Sequence, residues 1–233
     1  MQQPDHYDSF AADYSAENEK SLANAYYERP AVLSLAGEVK GRRVLDAGCG
    51  SGPLAAELRA RGAVVSAFDG SPAMAELARE RLGAGVDVQV ADLTQRLPYA
   101  DGEFDDVVVS LVLHYFRDWT GPLAELRRVV KKGGRLILSV NHPIVYQAFN
   151  PEADYFAPKE FTEDYLFNGR RAELTYWHRP LHAMTDAFTK AGFRLSVLSE
   201  PPYSPDTPRD LLPPGLTDEK AFVCFLFFVL EAE

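Results

Sequence analysis

The region from residue 42 to about 141 alternates short runs of β-branched residues with segments of helical periodicity. Such alternation is typical of a parallel sheet covered by helices on both faces, because helical crossovers join parallel strands. Five strands are predicted in this region, at 43–46, 63–68, 86–91, 106–111 and 136–140. The pattern therefore predicts a doubly wound α/β domain.

Helical periodicity and capping residues place the connections between these strands and the elements that follow. Helices are predicted over 53–61, 72–82, 119–130 and 182–191. Gly62 and Gly83 follow two of them as end signals, and Lys131 to Gly134 is expected to close the third. Two last strands are predicted at 193–198 and 221–230, and the segment 201–220 between them holds six of the 16 prolines. That segment is predicted to be an irregular loop.

Composition limits the classes of partner. The 233 residues are expected to form one domain with a cofactor-binding core at 42–141. No apolar run approaches the roughly 18 residues of a membrane span, and the first 20 residues lack the regions of a secretory signal, which predicts a cytoplasmic protein. A formal charge of -10 disfavours nucleic acid and anionic membranes, so a small molecule is the expected partner.

The segment 142–180 departs from the alternation. Nine aromatic residues fall in the 32 positions from Tyr146 to Trp177. Their rings would fill a small satellite core, or they would line a pocket over the carboxyl edge of the sheet, where open α/β sheets bind ligands. Both interpretations of the aromatic residues stay open. Residues 181–233 are expected to return to the core as a helix and two strands.

Residues 44–52, VLDAGCGSG, carry the most specific chemical signal. Glycines at 48, 50 and 52 let a backbone approach a ligand closely at a helix start. A dinucleotide fingerprint has the spacing G-x-G-x-x-G, whereas position 53 here is proline, and this departure disfavours NAD. Asp46 would repel a pyrophosphate but suits a ligand with an ammonium group, as in S-adenosylmethionine.

These motifs resemble the class I S-adenosylmethionine-dependent methyltransferases, and within them the group of ubiquinone and menaquinone biosynthesis enzymes. The resemblance implies a seven-stranded, mostly parallel sheet with an antiparallel last strand. It implies that Asp46, Gly48, Gly50 and Gly52 cradle the methionine part of the cofactor, with Asp69, followed by Gly70, on the ribose. It also places Met74, Asp92 and Leu93 at the adenine, Ser110 beside the methyl-transfer site, and Tyr14 in an N-terminal lid over residues 1–29.

Each of these residues also has an ordinary structural interpretation. Asp69 and Asp92 taken singly would be turn residues, Met74 would fill the core, and Tyr14 would pack on one face of a helix. Their joint spacing favours the cofactor site.

Histidines supply the candidates for a general base. His114 and His142 follow predicted strands at the carboxyl edge, and His178 closes the aromatic insert. We predict His142 first, then His114 and His178, as the group that deprotonates an O, N or C nucleophile of an aromatic or apolar acceptor. Their spacing matches no metal-binding pattern, so no metal is predicted. An NAD-dependent oxidoreductase and a non-catalytic cofactor-binding partner of another methyltransferase remain as alternatives.

Overall fold

A computed structural model describes residues 7–214, 216 and 222–233. Its strands are β1 Arg43–Ala47, β2 Val64–Asp69, β3 Asp87–Val90, β4 Phe104–Ser110, β5 Val130–Asn141, β6 Lys159–Phe167, β7 Arg170–His178, β8 Phe193–Ser199 and β9 Phe225–Ala232. Its α-helices are α1 Ala11–Asn18, α2 Arg29–Ala36, α3 Pro53–Ala60, α4 Pro72–Leu82, α5 Thr120–Val129, α6 Pro143–Phe149 and α7 Leu181–Lys190. A π-helical turn, Asn24–Glu28, leads into α2, and short 3-10 turns lie at Leu113–Tyr115 and Arg209–Leu211.

Seven strands form one sheet in the order β3-β2-β1-β4-β5-β9-β8. The pairs among β1 to β5 are parallel, and β9 runs antiparallel to both β5 and β8. The predicted fold class, with its antiparallel last strand, is confirmed. Because strand order reverses between β1 and β4, the carboxyl ends of these two strands open a crevice of the kind in which α/β sheets bind ligands.

Alternate residues of the central strands face two separate cores. Val44 packs with the helices α2, α3 and α4 on one face, whereas its neighbour Leu45 packs with α5 and α7 on the other. Both side chains are fully buried. The continuous apolar run of β1 therefore reflects burial on both faces, as expected for a central parallel strand.

The boundary between α5 and β5 differs from the prediction. The segment expected to close the helix is instead the beginning of β5, which pairs Val130 with Phe104. The register then shifts, so that Arg135 lies opposite Asp106. A Cβ on Gly134 would lie 2.7 Å from the carbonyl oxygen of Asp105, so this glycine permits close approach of two strands rather than ending a helix.

The aromatic insert folds into helix α6 and a two-stranded hairpin of β6 and β7. The hairpin turns at Asn168 and Gly169, which both have positive φ, 49° and 82°. Such turns match the twist of the flanking strands. Its inner face packs against the N-terminal segment, where the Phe10 and Phe167 rings stack with centroids 5.6 Å apart. None of the described helices is long and apolar enough to cross a bilayer.

Candidate active site

A cavity of about 180 Å³ lies at the carboxyl edge of the sheet, over the ends of β1 and β4. The π-helical turn and α1 also border it, through Asn24 and Glu28 and through Tyr14 and Asn18. Ten of the eleven residues predicted for the cofactor line it, namely Tyr14, Asp46, Gly48, Gly50, Asp69, Gly70, Met74, Asp92, Leu93 and Ser110. The eleventh, Gly52, packs against Ala78 and Leu82 of α4, where a Cβ would lie 3.3 Å from both side chains.

The glycine turn after β1 has a backbone that side chains disfavour. Gly48 and Gly50 have φ of +79° and +55°. A Cβ on Gly48 would lie 2.4 Å from Val112 Cγ2, so this glycine lets the turn meet the segment after β4. A Cβ on Gly50 would meet no protein atom within 4 Å, and Gly50 borders the cavity. The first glycine thus serves packing, and the absence of a side chain on the second leaves open space at the cavity.

Asp46, the acid at the end of β1, is buried without a partner. It is 1% exposed, and neither carboxyl oxygen accepts a hydrogen bond from the described residues. Burial, with the nearby charges of Glu28 and Asp69, raises its pKa to about 8, while the neighbouring N–H of Ala55 opposes the shift. Because a buried polar group without a partner is costly, this carboxyl group indicates a ligand that supplies hydrogen-bond donors or positive charge.

The acids at the end of β2 and after β3 both have backbone partners. Asp69 accepts hydrogen bonds from the N–H of Gly50 at 2.8 Å and of Ser71 at 2.9 Å, so its carboxylate braces the glycine turn. Burial raises its pKa despite these bonds. Asp92 accepts from the N–H and the hydroxyl of Thr94, both at 2.8 Å. Both acids therefore stabilise a turn and also lie at the cavity.

Replacement of Asp69 by alanine is expected to weaken binding of S-adenosylhomocysteine and of 5′-methylthioadenosine alike, since both contain the ribose. A hydrogen bond to a charged group contributes about 1.5 to 3 kcal/mol, or about ten- to a hundredfold in affinity. Calorimetric titration measures the effect. Asp87→Ala is the control, since Asp87 is the first residue of β3 and lies at the opposite edge of the sheet from the cavity. An unchanged dissociation constant in a folded Asp69→Ala protein would refute the ribose assignment.

The N-terminal segment is fastened to the start of α4 and to the glycine turn. The carboxylate of Asp8 accepts hydrogen bonds from the Ser71 hydroxyl and, at 3.0 Å, from the N–H of Ala73. The hydroxyl of Ser15 donates to that of Ser51 at 2.7 Å. Tyr14 lies between these contacts and borders the cavity. These contacts place the predicted lid segment directly over the candidate site.

None of the three candidate histidines is among the described residues that line the cavity. In His142 and His114 the lone pair of the neutral ring already accepts a hydrogen bond. His142 Nδ1 accepts from the N–H of Ile144, and its Nε2 lies 2.6 Å from a carboxylate oxygen of Glu200. His114 Nδ1 accepts from the N–H of Asn141, which leaves the proton of the neutral ring on Nε2. Burial lowers the pKa of His114 to about 3, so this ring is neutral at physiological pH.

His178 differs from the other two histidines. Its Nε2 lies 2.8 Å from the carbonyl oxygen of Tyr155 and must carry the proton, since a carbonyl only accepts. Its Nδ1 is buried and has no partner among the described residues. Of the three rings, His178 therefore has a free lone pair in its neutral form, although it stacks on Tyr146 with centroids 4.4 Å apart.

Glu28, the last residue of the π-helical turn, was not predicted from the sequence. It is 3% exposed and borders the cavity, where one carboxyl oxygen accepts from the hydroxyls of Ser110 at 2.7 Å and Ser139 at 2.6 Å. A glutamate in a helical run gives no signal in one sequence, because most such residues face solvent. In the described part of the chain, no group of three or more His, Cys, Asp or Glu side chains is arranged to hold a metal ion.

Comparison with known proteins agrees with this geometry. A family model described as "Methyltransferase domain" matches residues 45–138. The ubiquinone biosynthesis O-methyltransferase of Xanthomonas euvesicatoria pv. vesicatoria is 33% identical over 179 residues, which cover 72% of this chain and 69% of that protein. The demethylmenaquinone methyltransferase of Thermobifida fusca is 38% identical over 137 residues, 57% of this chain and 58% of that protein.

Solved structures share the fold over a greater length than the sequence relatives do. An S-adenosylmethionine dependent methyltransferase from Mesorhizobium loti superposes with a TM-score of 0.65 at 24% identity, over 87% of this chain and 96% of that one. Several of the curated relatives are matched over little more than half of their length, as with the 58% of the Thermobifida protein.

The seven-stranded sheet and the acid-glycine turn at its crevice define a nucleotide-binding α/β protein of the methyltransferase type. The chain belongs to the class I S-adenosylmethionine-dependent methyltransferases, in the group that includes the ubiquinone and menaquinone biosynthesis enzymes.

Proposed function

We propose that the protein transfers the methyl group of S-adenosylmethionine to an O, N or C nucleophile of a small aromatic or apolar molecule. The observation that carries the proposal is the unpartnered carboxyl group of Asp46 beside the open space at Gly50. An ammonium-bearing amino-acid moiety fits this pairing of acid and glycine, whereas a pyrophosphate would be repelled. The family of the chain supports the same cofactor.

The cofactor supplies an electrophilic sulfonium methyl group. The residues of the chain then have to align the acceptor and exclude water. In this proposal Asp46 and the glycine turn hold the methionine part, Asp69 the ribose, and Asp92 with Met74 and Leu93 the adenine.

Aromatic rings in the lining support an aromatic or apolar acceptor. Five rings border the cavity, those of Tyr7, Tyr14, Phe68, Tyr115 and Phe116. Burial raises the pKa of Tyr7, Tyr14 and Tyr115, so their phenols stay neutral and can donate hydrogen bonds. Neutral donors and ring faces suit an uncharged ring better than a charged polymer. Of the three histidines proposed as a base, His178 is the one with a lone pair free to accept a proton.

A panel of small phenols, catechols and aromatic amines, incubated with S-adenosylmethionine, tests this function. We expect at least one of them to stimulate release of S-adenosylhomocysteine, and the Gly50→Val protein to remain inactive with it. Stimulation by protein or nucleic-acid substrates in place of these small molecules would contradict the proposed acceptor class.

We also propose that the predicted lid of residues 1–29 opens in the free protein along its part before the π-helical turn, while Glu28 keeps its hydrogen bonds to Ser110 and Ser139. The segment is held by hydrogen bonds to Ser51 and to the start of α4 and by ring contacts with the hairpin, which suits a segment of low local stability. Amides of residues 7–27 are therefore expected to exchange hydrogen more slowly when S-adenosylhomocysteine is bound. Equal exchange in both states would show that Tyr14 is a packing residue and not part of a lid.

A further inference from the structure

The cavity holds more carboxyl groups than its cations neutralise. Its acidic residues are Glu28, Asp46, Asp69 and Asp92, and Arg29 is the basic residue of the described lining. The Arg29 guanidinium donates to the side-chain oxygen of Asn18 at 2.6 Å and pairs with the carboxylate of Glu19, outside the lining, at 3.9 Å. A ligand that brings positive charge into this space therefore gains electrostatic energy.

Glu28 has one carboxyl oxygen held in place and the other free. Both serine hydroxyls, Ser110 on β4 and Ser139 on β5, donate to Oε1. No described residue donates to Oε2, although the residue is buried and borders the cavity. Two hydroxyls from adjacent strand ends fix the orientation of the carboxyl group, so Oε2 is a preorganised acceptor.

Glu28 and Asp46 lie close enough for their charges to interact. Ser110, which holds Glu28, is two residues beyond Val108, the partner of Asp46 in the parallel pairing of β1 and β4. Burial raises the pKa of Glu28, and the charge of Glu28 contributes to the raised pKa of Asp46. Two buried acids in one site do not both ionise readily, so the pair retains a proton at neutral pH.

We propose that Glu28 and Asp46 together form the receptor for the α-ammonium group of the methyl donor and release their shared proton to solvent when that group binds. An α-ammonium has three N–H donors, and the pair offers three acceptor oxygens without partners among the described residues: two on Asp46 and Oε2 of Glu28. Glu28 is thus a binding residue that positions the cofactor. This inference rests on S-adenosylmethionine as the cofactor.

Other ionisable groups that face the pair are Asp69 on β2, Arg29 on α2, Tyr14 on α1 and Cys49 in the glycine turn. Burial raises the pKa of the Tyr14 phenol and of the Cys49 thiol, so both are uncharged at neutral pH. Asp69 keeps its two backbone hydrogen bonds, and Arg29 keeps its contact with Asn18. The two-carboxyl pair is therefore the group whose protonation we expect to change at neutral pH.

Calorimetry with two nucleosides tests the proposal without turnover. S-Adenosylhomocysteine carries the α-ammonium group, and 5′-methylthioadenosine has the same adenosine without it. Titrations at pH 7 in phosphate and in Tris, which differ in ionisation enthalpy, report the number of protons released. Wild-type protein is expected to release protons with the first ligand and not with the second.

The Glu28→Gln variant is expected to bind S-adenosylhomocysteine about ten- to a hundredfold more weakly and to retain its affinity for 5′-methylthioadenosine. The number of protons released on binding should fall together with this affinity. Glu17→Gln is the matched control, since Glu17 lies on α1 outside the lining and pairs with Lys20 at 3.6 Å. This variant is expected to behave as wild type in both titrations.

Four results would overturn the proposal. Wild-type binding of S-adenosylhomocysteine without proton release would exclude the shared proton, and this result needs no variant. Unchanged affinity for this ligand in Glu28→Gln would show that the carboxyl group does not face the cofactor, and equal loss for both nucleosides would show that it only shapes the cavity. If neither nucleoside binds wild-type protein, the cofactor assignment fails together with the proposal.

Discussion

Substitution of Gly50 by valine is expected to abolish binding of S-adenosylhomocysteine while the protein stays folded. Gly50 has φ of +55°, a region that costs a non-glycine residue about 1 to 3 kcal/mol. Its Cβ would meet no protein atom, so the added side chain would occupy the space left for the ligand. Together these effects predict a loss of affinity of at least about a hundredfold, measured by calorimetry.

Gly37→Val is a matched control for this substitution. Gly37 has φ of +61°, and a Cβ there also meets no atom within 4 Å, but it ends α2 away from the cavity. The control should therefore lose stability to a similar extent and bind the ligand as wild type does. Circular dichroism of both variants establishes that they fold, and tight binding by a folded Gly50→Val protein would contradict the proposed path of the ligand.

Replacement of Asp46 by asparagine is expected to have opposite effects on stability and on binding. The pKa of Asp46 rises from an ordinary 3.8 to about 8 on folding, mainly because the group is buried. An acid with a raised folded pKa destabilises the folded state as pH increases between these two values. The free energy of unfolding of Asp46→Asn, relative to wild type, should therefore increase from pH 5 to pH 8 and remain constant above that.

Urea denaturation between pH 5 and pH 9 measures this difference, and calorimetry of the same variant measures the loss of the ammonium acceptor. We expect S-adenosylhomocysteine to bind at least about tenfold more weakly, since a charge-assisted hydrogen bond is lost. A stability difference that does not vary with pH would show that Asp46 has a partner in the free protein. Such a result would remove the main support for its role in binding.

The parallel core was predictable because its signals are local. Strand residues such as Val44 and Leu45 are apolar on both faces, and Ser71 with Pro72 marks the start of α4, where the Ser71 hydroxyl accepts from the N–H of Met74. Burial on two faces and helix capping both leave patterns within a few residues of sequence. For the same reason the glycine turn and the acids at or just beyond the ends of β1, β2 and β3 were predictable.

The hairpin of the aromatic insert was missed although its turn signal was present. Asn168-Gly169 is the dipeptide that favours a two-residue hairpin turn, and it lies between two runs of residues that pair as β6 and β7. Charged residues such as Asp164 and Arg171 interrupt the apolar pattern of these strands, since their outer faces meet solvent. Attention to the turn rather than to apolar runs would have found this element.

The role of the candidate histidines and of Glu28 depends on contacts between distant parts of the chain. His142 meets Glu200 across 58 positions, and Glu28 meets Ser139 across 111. One sequence contains no record of such pairings, so the free lone pair of His178 and the free oxygen of Glu28 emerge only from the fold. The sequence predicted that His114 and His142 follow strands at the carboxyl edge of the sheet. It did not predict which of their ring nitrogens already take part in hydrogen bonds.

The measurement that bears most directly on the cofactor assignment is thermal unfolding of wild-type protein with S-adenosylhomocysteine and, separately, with NAD⁺. A ligand that binds the folded state alone stabilises it by RT ln(1 + [L]/Kd), about 2.7 kcal/mol at a hundredfold excess over Kd. We expect the melting temperature to rise with S-adenosylhomocysteine and to stay unchanged with NAD⁺. A rise with NAD⁺ and none with S-adenosylhomocysteine would contradict the assignment and favour the oxidoreductase alternative.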